Sequence, residues 1–167
     1  FFSLSLQLNM LIKLPMKSNY LNKSNKKIVF VTGGSKGIGK EIVKKFSRSG
    51  AKVYFTYKSS NIHNLNILKN KNIIPIKCDM SNLNQINKIQ KIIKKEKKID
   101  VLVNNVGGVN KRTSFIKSDD NLWKNVLNLN LMSAVKTTKI IYKYLIRSKN
   151  GVIINISSVA SRTGGGG

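Results

Sequence analysis

Carboxylates, histidine, cysteine and proline are all scarce in this chain of 167 residues, and each scarcity closes off a class of function. The one cysteine, Cys78, has no partner for a disulfide within the chain. It fits a reducing compartment, so the expected location is cytoplasmic. The one histidine, His63, has no cysteine or carboxylate cluster near it in sequence, which argues against a zinc or other metal site. No apolar run approaches the roughly 18 residues of a membrane-spanning helix, so no membrane partner is expected. Two prolines and one low-complexity tract, Gly164-Gly165-Gly166-Gly167, leave little room for a linker between domains. With 41% hydrophobic residues, the length gives one domain with a sizeable core.

Six acidic residues stand against 31 basic ones, a formal charge of +25. Of the basic residues 27 are lysine and four arginine, and asparagine and isoleucine are also abundant. These residue types share A- and T-rich codons, so base composition accounts for the charge without a partner. Nucleic-acid surfaces rely on arginine and aromatic platforms, whereas these lysines scatter around predicted helices. Specific nucleic-acid binding is therefore not expected, and an acidic protein partner is the other alternative to compositional drift.

The opening stretch Phe1–Met16 is apolar, with Lys13 its one charge. It lacks the basic region and small-residue cleavage site of a targeting segment. It reads instead as upstream sequence ahead of a start at Met10 or Met16, and residues 1–26 as a poorly structured lead-in. From Lys27 the pattern becomes regular. Ile28-Val29-Phe30-Val31 is a short apolar run ending in glycines, as a buried parallel strand does. Ile38, Ile42, Val43 and Phe46 follow at helical spacing, with Gly50 as the stop. Further strands are expected at Lys52–Tyr57, Ile73–Lys77, Val101–Val103 and Val152–Ile156. A weaker helix is expected over Asn61–Asn70, an amphipathic one over Leu83–Ile93, and a long one from Asp119-Asp120 toward Ile146. Trp123 and the other aromatics at helical spacing are expected in the core. Five strands alternating with four helical segments make an α/β fold, a doubly wound parallel sheet.

Thr32-Gly33-Gly34-Ser35-Lys36-Gly37-Ile38-Gly39 lies between the first strand and the first helix. Glycine there lets the backbone approach a pyrophosphate, and the helix N-terminus offers it unpaired N–H groups. A tight strand-to-helix turn is the alternative use of the same residues. Four further segments follow in order: Cys78-Asp79-Met80 after the third strand, Asn104-Asn105-Val106-Gly107 at the fourth, Asn128-Leu129-Asn130-Leu131 in the long helix, and Ile154-Asn155-Ile156-Ser157-Ser158 at the fifth. Together these resemble the short-chain dehydrogenase/reductase family over Lys27–Gly167, with valine replacing the alanine of the family's Asn-Asn-Ala-Gly. The style is similar to the 3-oxoacyl-acyl-carrier-protein reductases.

The resemblance implies a Rossmann fold over residues 27–167, incomplete at its C-terminal side, that binds NAD(P). It assigns cofactor binding to Gly33, Ser35, Lys36, Gly37, Ile38, Gly39, Lys58, Asp79, Asn105 and Gly107, with Asp79 against the adenine ring. It assigns Ser158 to the carbonyl oxygen and Asn130 to a proton-relay water. Tyr57-Lys58 ends the second strand where an NAD-preferring domain carries an acid, and Lys36 and Lys58 suit a 2′-phosphate, so NADPH is expected over NADH. The implied reaction is reduction of a carbonyl, foremost a 3-oxoacyl thioester on an acyl-carrier protein or a small-molecule ketone. Sugar or secondary-alcohol oxidation, or a non-catalytic nucleotide-binding fragment, are the alternatives. The family's catalytic tyrosine and lysine would lie beyond Gly167, and Tyr142 and Tyr144 precede the serine strand. The chain as it stands is thus expected to be inactive, and the intact protein to be a homo-oligomer, a tetramer by the resemblance.

Overall fold

The computed structural model describes residues 26–59, 62, 66–109 and 111–163. The lead-in before Lys26, His63 and the terminal glycine tract lie outside the described residues. Five strands form one sheet: β1 Ile28–Val31, β2 Lys52–Tyr57, β3 Ile73–Lys77, β4 Val101–Asn104 and β5 Val152–Asn155. Their order is β3-β2-β1-β4-β5 and every pairing is parallel. Helices α1 Gly37–Arg48, α2 Leu83–Ile93, α3 Asp120–Leu127, α4 Ser133–Leu145 and the short α5 Ala160–Thr163 connect or follow the strands. This is the doubly wound parallel sheet that the apolar periodicity predicts.

Strands β1 to β4 are covered on both faces, and strand alternation sorts their side chains between two cores. Val29, Val31, Val53, Phe55 and Val103 face Ile42 and Val43 of α1. Phe30, Tyr54, Ile76 and Leu102 face Ile86, Ile89 and Ile93 of α2 and Ile141 and Tyr144 of α4. At the amino ends of the strands Asp100 acts as a knot. Its carboxylate accepts from the Ile28 N–H (2.8 Å), Lys98 Nζ (2.7 Å) and Ser148 Oγ (2.7 Å). A second buried carboxylate, Glu96, accepts from Lys52 Nζ at 2.6 Å and from the Tyr54 hydroxyl.

Three expectations differ from what is found. The segment expected as a helix over Asn61–Asn70 is described only in part, and there it forms a 3-10 turn at Asn66–Lys69. The long helix is interrupted: α3 and α4 are joined by a π turn over Asn128–Met132. Such turns insert an extra residue and recur at functional positions. Trp123 is not core; it is 47% exposed, meets the Phe115 ring edge-on at 6.2 Å and donates to Ser118 Oγ. Leu127, Leu131, Met132 and Val135 are exposed beside it, and Val152, Ile153 and Ile154 of β5 are exposed as well. The periodicity identified an apolar stripe correctly, but part of that stripe faces outward.

Candidate functional site: a dinucleotide groove at the carboxyl ends of the strands

Strands β1 and β4 are neighbours although β2 and β3 lie between them in sequence, so the chain reverses its winding direction between them. Open α/β sheets bind ligands at the carboxyl ends beside such a reversal. Here a groove of about 570 Å³ opens at that place. It is lined by Gly33, Ser35, Lys36, Gly37, Ile38 and Gly39 from the loop into α1, and by Lys58, Asp79, Asn105 and Gly107 from the ends of β2, β3 and β4. All the residues nominated from sequence for cofactor contact thus lie along one groove. Thr56, Cys78 and Val106 line it too.

One threonine holds the floor of the groove together. Thr32, at the end of β1, is 2% exposed, and its Oγ1 accepts from the Asn105 N–H (2.9 Å) and the Val106 N–H (3.0 Å). Asn105 Nδ2 returns the contact by donating to the carbonyls of Thr32 (2.9 Å) and Gly33 (3.2 Å). From the other side the Gly33 N–H donates to Thr56 Oγ1 and the Gly34 N–H to the Thr56 carbonyl, both at 2.9 Å. The loop is therefore clasped between β2 and β4 before any ligand arrives. Its glycines are required by geometry. Gly33 has φ +70, and a Cβ on Gly39 would stand 2.1 Å from the Gly33 carbonyl oxygen.

The clasped loop aims the start of α1 into the groove. The first bond within this helix runs from the Lys40 N–H to the Lys36 carbonyl, so the N–H groups of Gly37, Ile38 and Gly39 precede any intrahelical partner. At α2, Asn82 caps the N-terminus by accepting from Asn84 and Gln85; at α3, Asp119 accepts from Leu122. At α1 the side chain of Lys36 caps nothing, and the first turn has no acid. An uncapped helix start with a positive dipole end is suited to an anion, and these residues fit a dinucleotide pyrophosphate.

Asp79 Oδ1 accepts from the Ser81 N–H (3.0 Å) and Oγ (2.6 Å), and its Oδ2 pairs with Lys58 Nζ at 2.9 Å. Burial pushes its carboxyl upward, but the bonds from Ser81 and Lys58 outweigh that and hold it below the usual carboxylate range. Lys58 was expected to be available for a phosphate, yet it is engaged. Cys78 is buried beside Asp79; burial first, and then that carboxylate, push its thiol up to about 11, so it remains a neutral thiol.

The two residues nominated for catalysis lie outside the lining of this groove. Asn130 sits in the π turn, where its Nδ2 donates to the carbonyls of Gly108 (2.8 Å) and Val126 (2.9 Å) and its Oδ1 accepts from the Gly108 N–H (2.8 Å). It thereby ties the loop after β4 to the helix. Ser158 is exposed, and its Oγ accepts from the Ala160 N–H at 3.2 Å at the entry to α5. β5 ends at Asn155, so both serines lie past the strand. Ser157 instead contacts Ser161 Oγ. Among the described residues no cluster of ligating side chains suits a metal ion, and no helix is long and apolar enough to cross a membrane.

Comparison with known proteins agrees with this geometry. A Dictyostelium discoideum protein named dehydrogenase/reductase SDR family protein 7-like is 35% identical over 159 residues, covering 89% of this chain and 49% of that one. The 3-oxoacyl-[acyl-carrier-protein] reductase FabG of Buchnera aphidicola from Acyrthosiphon pisum is 32% identical over 145 residues, covering 86% and 59%. A solved NADH-dependent reductase, A1-R′, in complex with NAD superposes with a TM-score of 0.76 at 25% identity, covering 85% and 64%. The chain therefore spans about half to three-fifths of the length of the curated relatives it matches. The family model for short chain dehydrogenases matches residues 27–167, that is, from the start of β1 through the serine segment. By that match and by its groove, the chain belongs to the short-chain dehydrogenase/reductase family.

Proposed function

We propose that this chain is the cofactor-binding part of an NADPH-dependent reductase acting on a carbonyl, foremost a 3-oxoacyl thioester carried on an acyl-carrier protein. The observation that carries the reading is the uncapped start of α1, held open toward a groove whose only lining carboxylate, Asp79, is already neutralised by Lys58. The N–H groups of Gly37, Ile38 and Gly39 would take the pyrophosphate, and Asn105 and Gly107 would flank the nicotinamide side. Tyr57 stands where an acid would repel a 2′-phosphate, and Lys36 makes no ion pair with any described residue. The bound dinucleotide supplies the hydride.

The serine segment adds the polar groups such chemistry needs. No described residue accepts the Ser158 proton, so its hydroxyl can donate to a carbonyl oxygen as charge develops there. The Asn130 clamp fixes the loop from β4 next to the groove. The FabG relatives favour a thioester substrate, and a basic surface suits an acidic carrier. The outward apolar stripe of α3 and α4 is the surface on which copies of the protein would associate.

Fluorescence titration of the chain with NADPH and NADH tests the cofactor reading. NADPH should bind at least about tenfold tighter, because one charge-assisted contact to the 2′-phosphate contributes roughly 1.5–3 kcal/mol. Equal or tighter binding of NADH refutes it.

A further inference from the structure

Lys58 and Asp79 face each other across the groove at 2.9 Å, and the two ends of this ion pair are held very differently. Asp79 is fixed. Its Oδ1 accepts two bonds from Ser81, its own N–H donates to Gln85 Oε1 at 2.9 Å, and its side chain is 23% exposed. Lys58 is held at its tip: its side chain is 69% exposed and, among the described residues, its one ionic contact is Asp79 Oδ2. A long flexible ammonium with one partner is free to change partners. Asp79 Oδ2, in contrast, stays aimed into the groove when Lys58 leaves, because Oδ1 anchors the carboxylate.

We propose that Lys58 and Asp79 form an exchangeable pair through which the groove distinguishes a 2′-phosphorylated adenosine from one without that phosphate. The inference rests on the NADPH reading above. The arriving dianion takes Lys58 from Asp79, and the freed Oδ2 then accepts a hydrogen bond from the adenine amino group. An adenosine with a plain 2′-hydroxyl offers Lys58 no competing charge, so the pair persists and Oδ2 stays shared. Selectivity then belongs to the pair, and Asp79 lowers it by holding Lys58 back.

The consequence is a sign that a simple reading of Asp79 as an adenine contact does not give: removing its charge should improve discrimination. Calorimetric titration of the full chain with adenosine 2′,5′-bisphosphate and with 5′-AMP isolates the 2′-phosphate, since the two ligands differ only there. Asp79→Asn keeps an acceptor for Ser81. It should raise the ratio of the two dissociation constants by about two- to fivefold, the scale for releasing a solvent-screened pair. Lys58→Met should lower the ratio, and Asp79→Asn in that background should leave it unchanged. A rise of equal size in both backgrounds overturns the exchange, because Asp79 would then act as a bare negative charge and not through Lys58. No rise in the single variant overturns it too. A parent chain that does not favour the bisphosphate refutes the NADPH reading itself; a parent that favours it while the variants behave additively refutes the exchange alone.

Discussion

Thr32→Val replaces one hydroxyl by a methyl of nearly the same shape, so it opens no cavity and tests hydrogen bonding alone. In the folded chain Thr32 Oγ1 serves the N–H groups of Asn105 and Val106, residues more than seventy positions away. Both donors are half-buried, and the valine offers them nothing. Leaving a buried donor unpaired costs about 1–3 kcal/mol; with two donors and some access of water, the sum is about 2–4 kcal/mol. For a domain of this size that lowers Tm by roughly 6–12 °C at about 3 °C per kcal/mol. Thr32→Ser keeps the oxygen and should lose under about 1 kcal/mol. Urea and thermal unfolding followed by circular dichroism measure both variants. NADPH titration of Thr32→Val should also show weakened binding, since the Gly33 loop loses one of its ties to the end of β4 and keeps only those made through backbone carbonyls and N–H groups. If the valine variant unfolds within 0.5 kcal/mol of the parent, or the serine variant is equally damaged, the threonine is not the hub described.

A Cβ at Gly39 has to displace backbone, so Gly39→Ala should reduce NADPH affinity by about tenfold or more and destabilise the fold by about 1–3 kcal/mol, both measurable by titration and melting. Asp100 and Glu96 are buried, which raises their carboxyls, but bonds from Lys98, Ile28 and Ser148 in one case and Lys52 and Tyr54 in the other hold both below their ordinary values of 3.8 and 4.5. Because the folded values are the lower ones, the stability they contribute is complete above those ordinary values and is lost as pH falls through the folded ones. Unfolding free energies from pH 7 down to pH 2 should fall steeply below pH 4.5, and Asp100→Asn should flatten part of that slope. In a protein supplying the general acid, Ser158→Ala should lower kcat by about 10²–10³ in a 3-oxoacyl thioester assay, the scale for losing one oxyanion donor. Ser157→Ala should change it far less, because Ser157 already bonds Ser161.

The strands and the glycine loop were legible because each announces itself locally: a branched apolar run of four to six residues, or glycines at fixed offsets beside it. Asp79, Asn105 and Gly107 were legible by resemblance, and the sheet order brings them to one groove. What the sequence could not display are contacts between residues far apart in the chain. Thr56 lies inside an ordinary strand pattern, and nothing nearby signals that its hydroxyl and carbonyl hold Gly33 and Gly34. In sequence Thr32 is the first residue of the glycine motif, while its task is to receive the backbone that follows β4. The π turn at Asn128–Met132 escaped because one inserted residue shifts an apolar stripe only slightly. Trp123 is exposed where helical spacing predicts core, because that spacing reports that a face is apolar and not what covers it. Lys58 has no acid near it in sequence, because its partner, Asp79, belongs to another strand end.

The adjacency of β1 and β4 also bears on the order in which the molecule assembles. Strands β1 and β2 are joined through a single helix, and their pairing closes a loop of some two dozen residues, from Ile28 to Lys52. Pairing β1 with β4 joins Val29 to Val101 and closes a loop three times as long, which carries the larger entropic cost and is expected to come later. Until it does, Thr32 has no backbone to receive, and Asn105 cannot hold the carbonyls of the loop. The anion cradle is thus expected to mature only in the late closure that inserts β4. A dinucleotide that recognises the finished cradle would then slow the escape of β4 and lengthen the lifetime of the native state without hastening its formation.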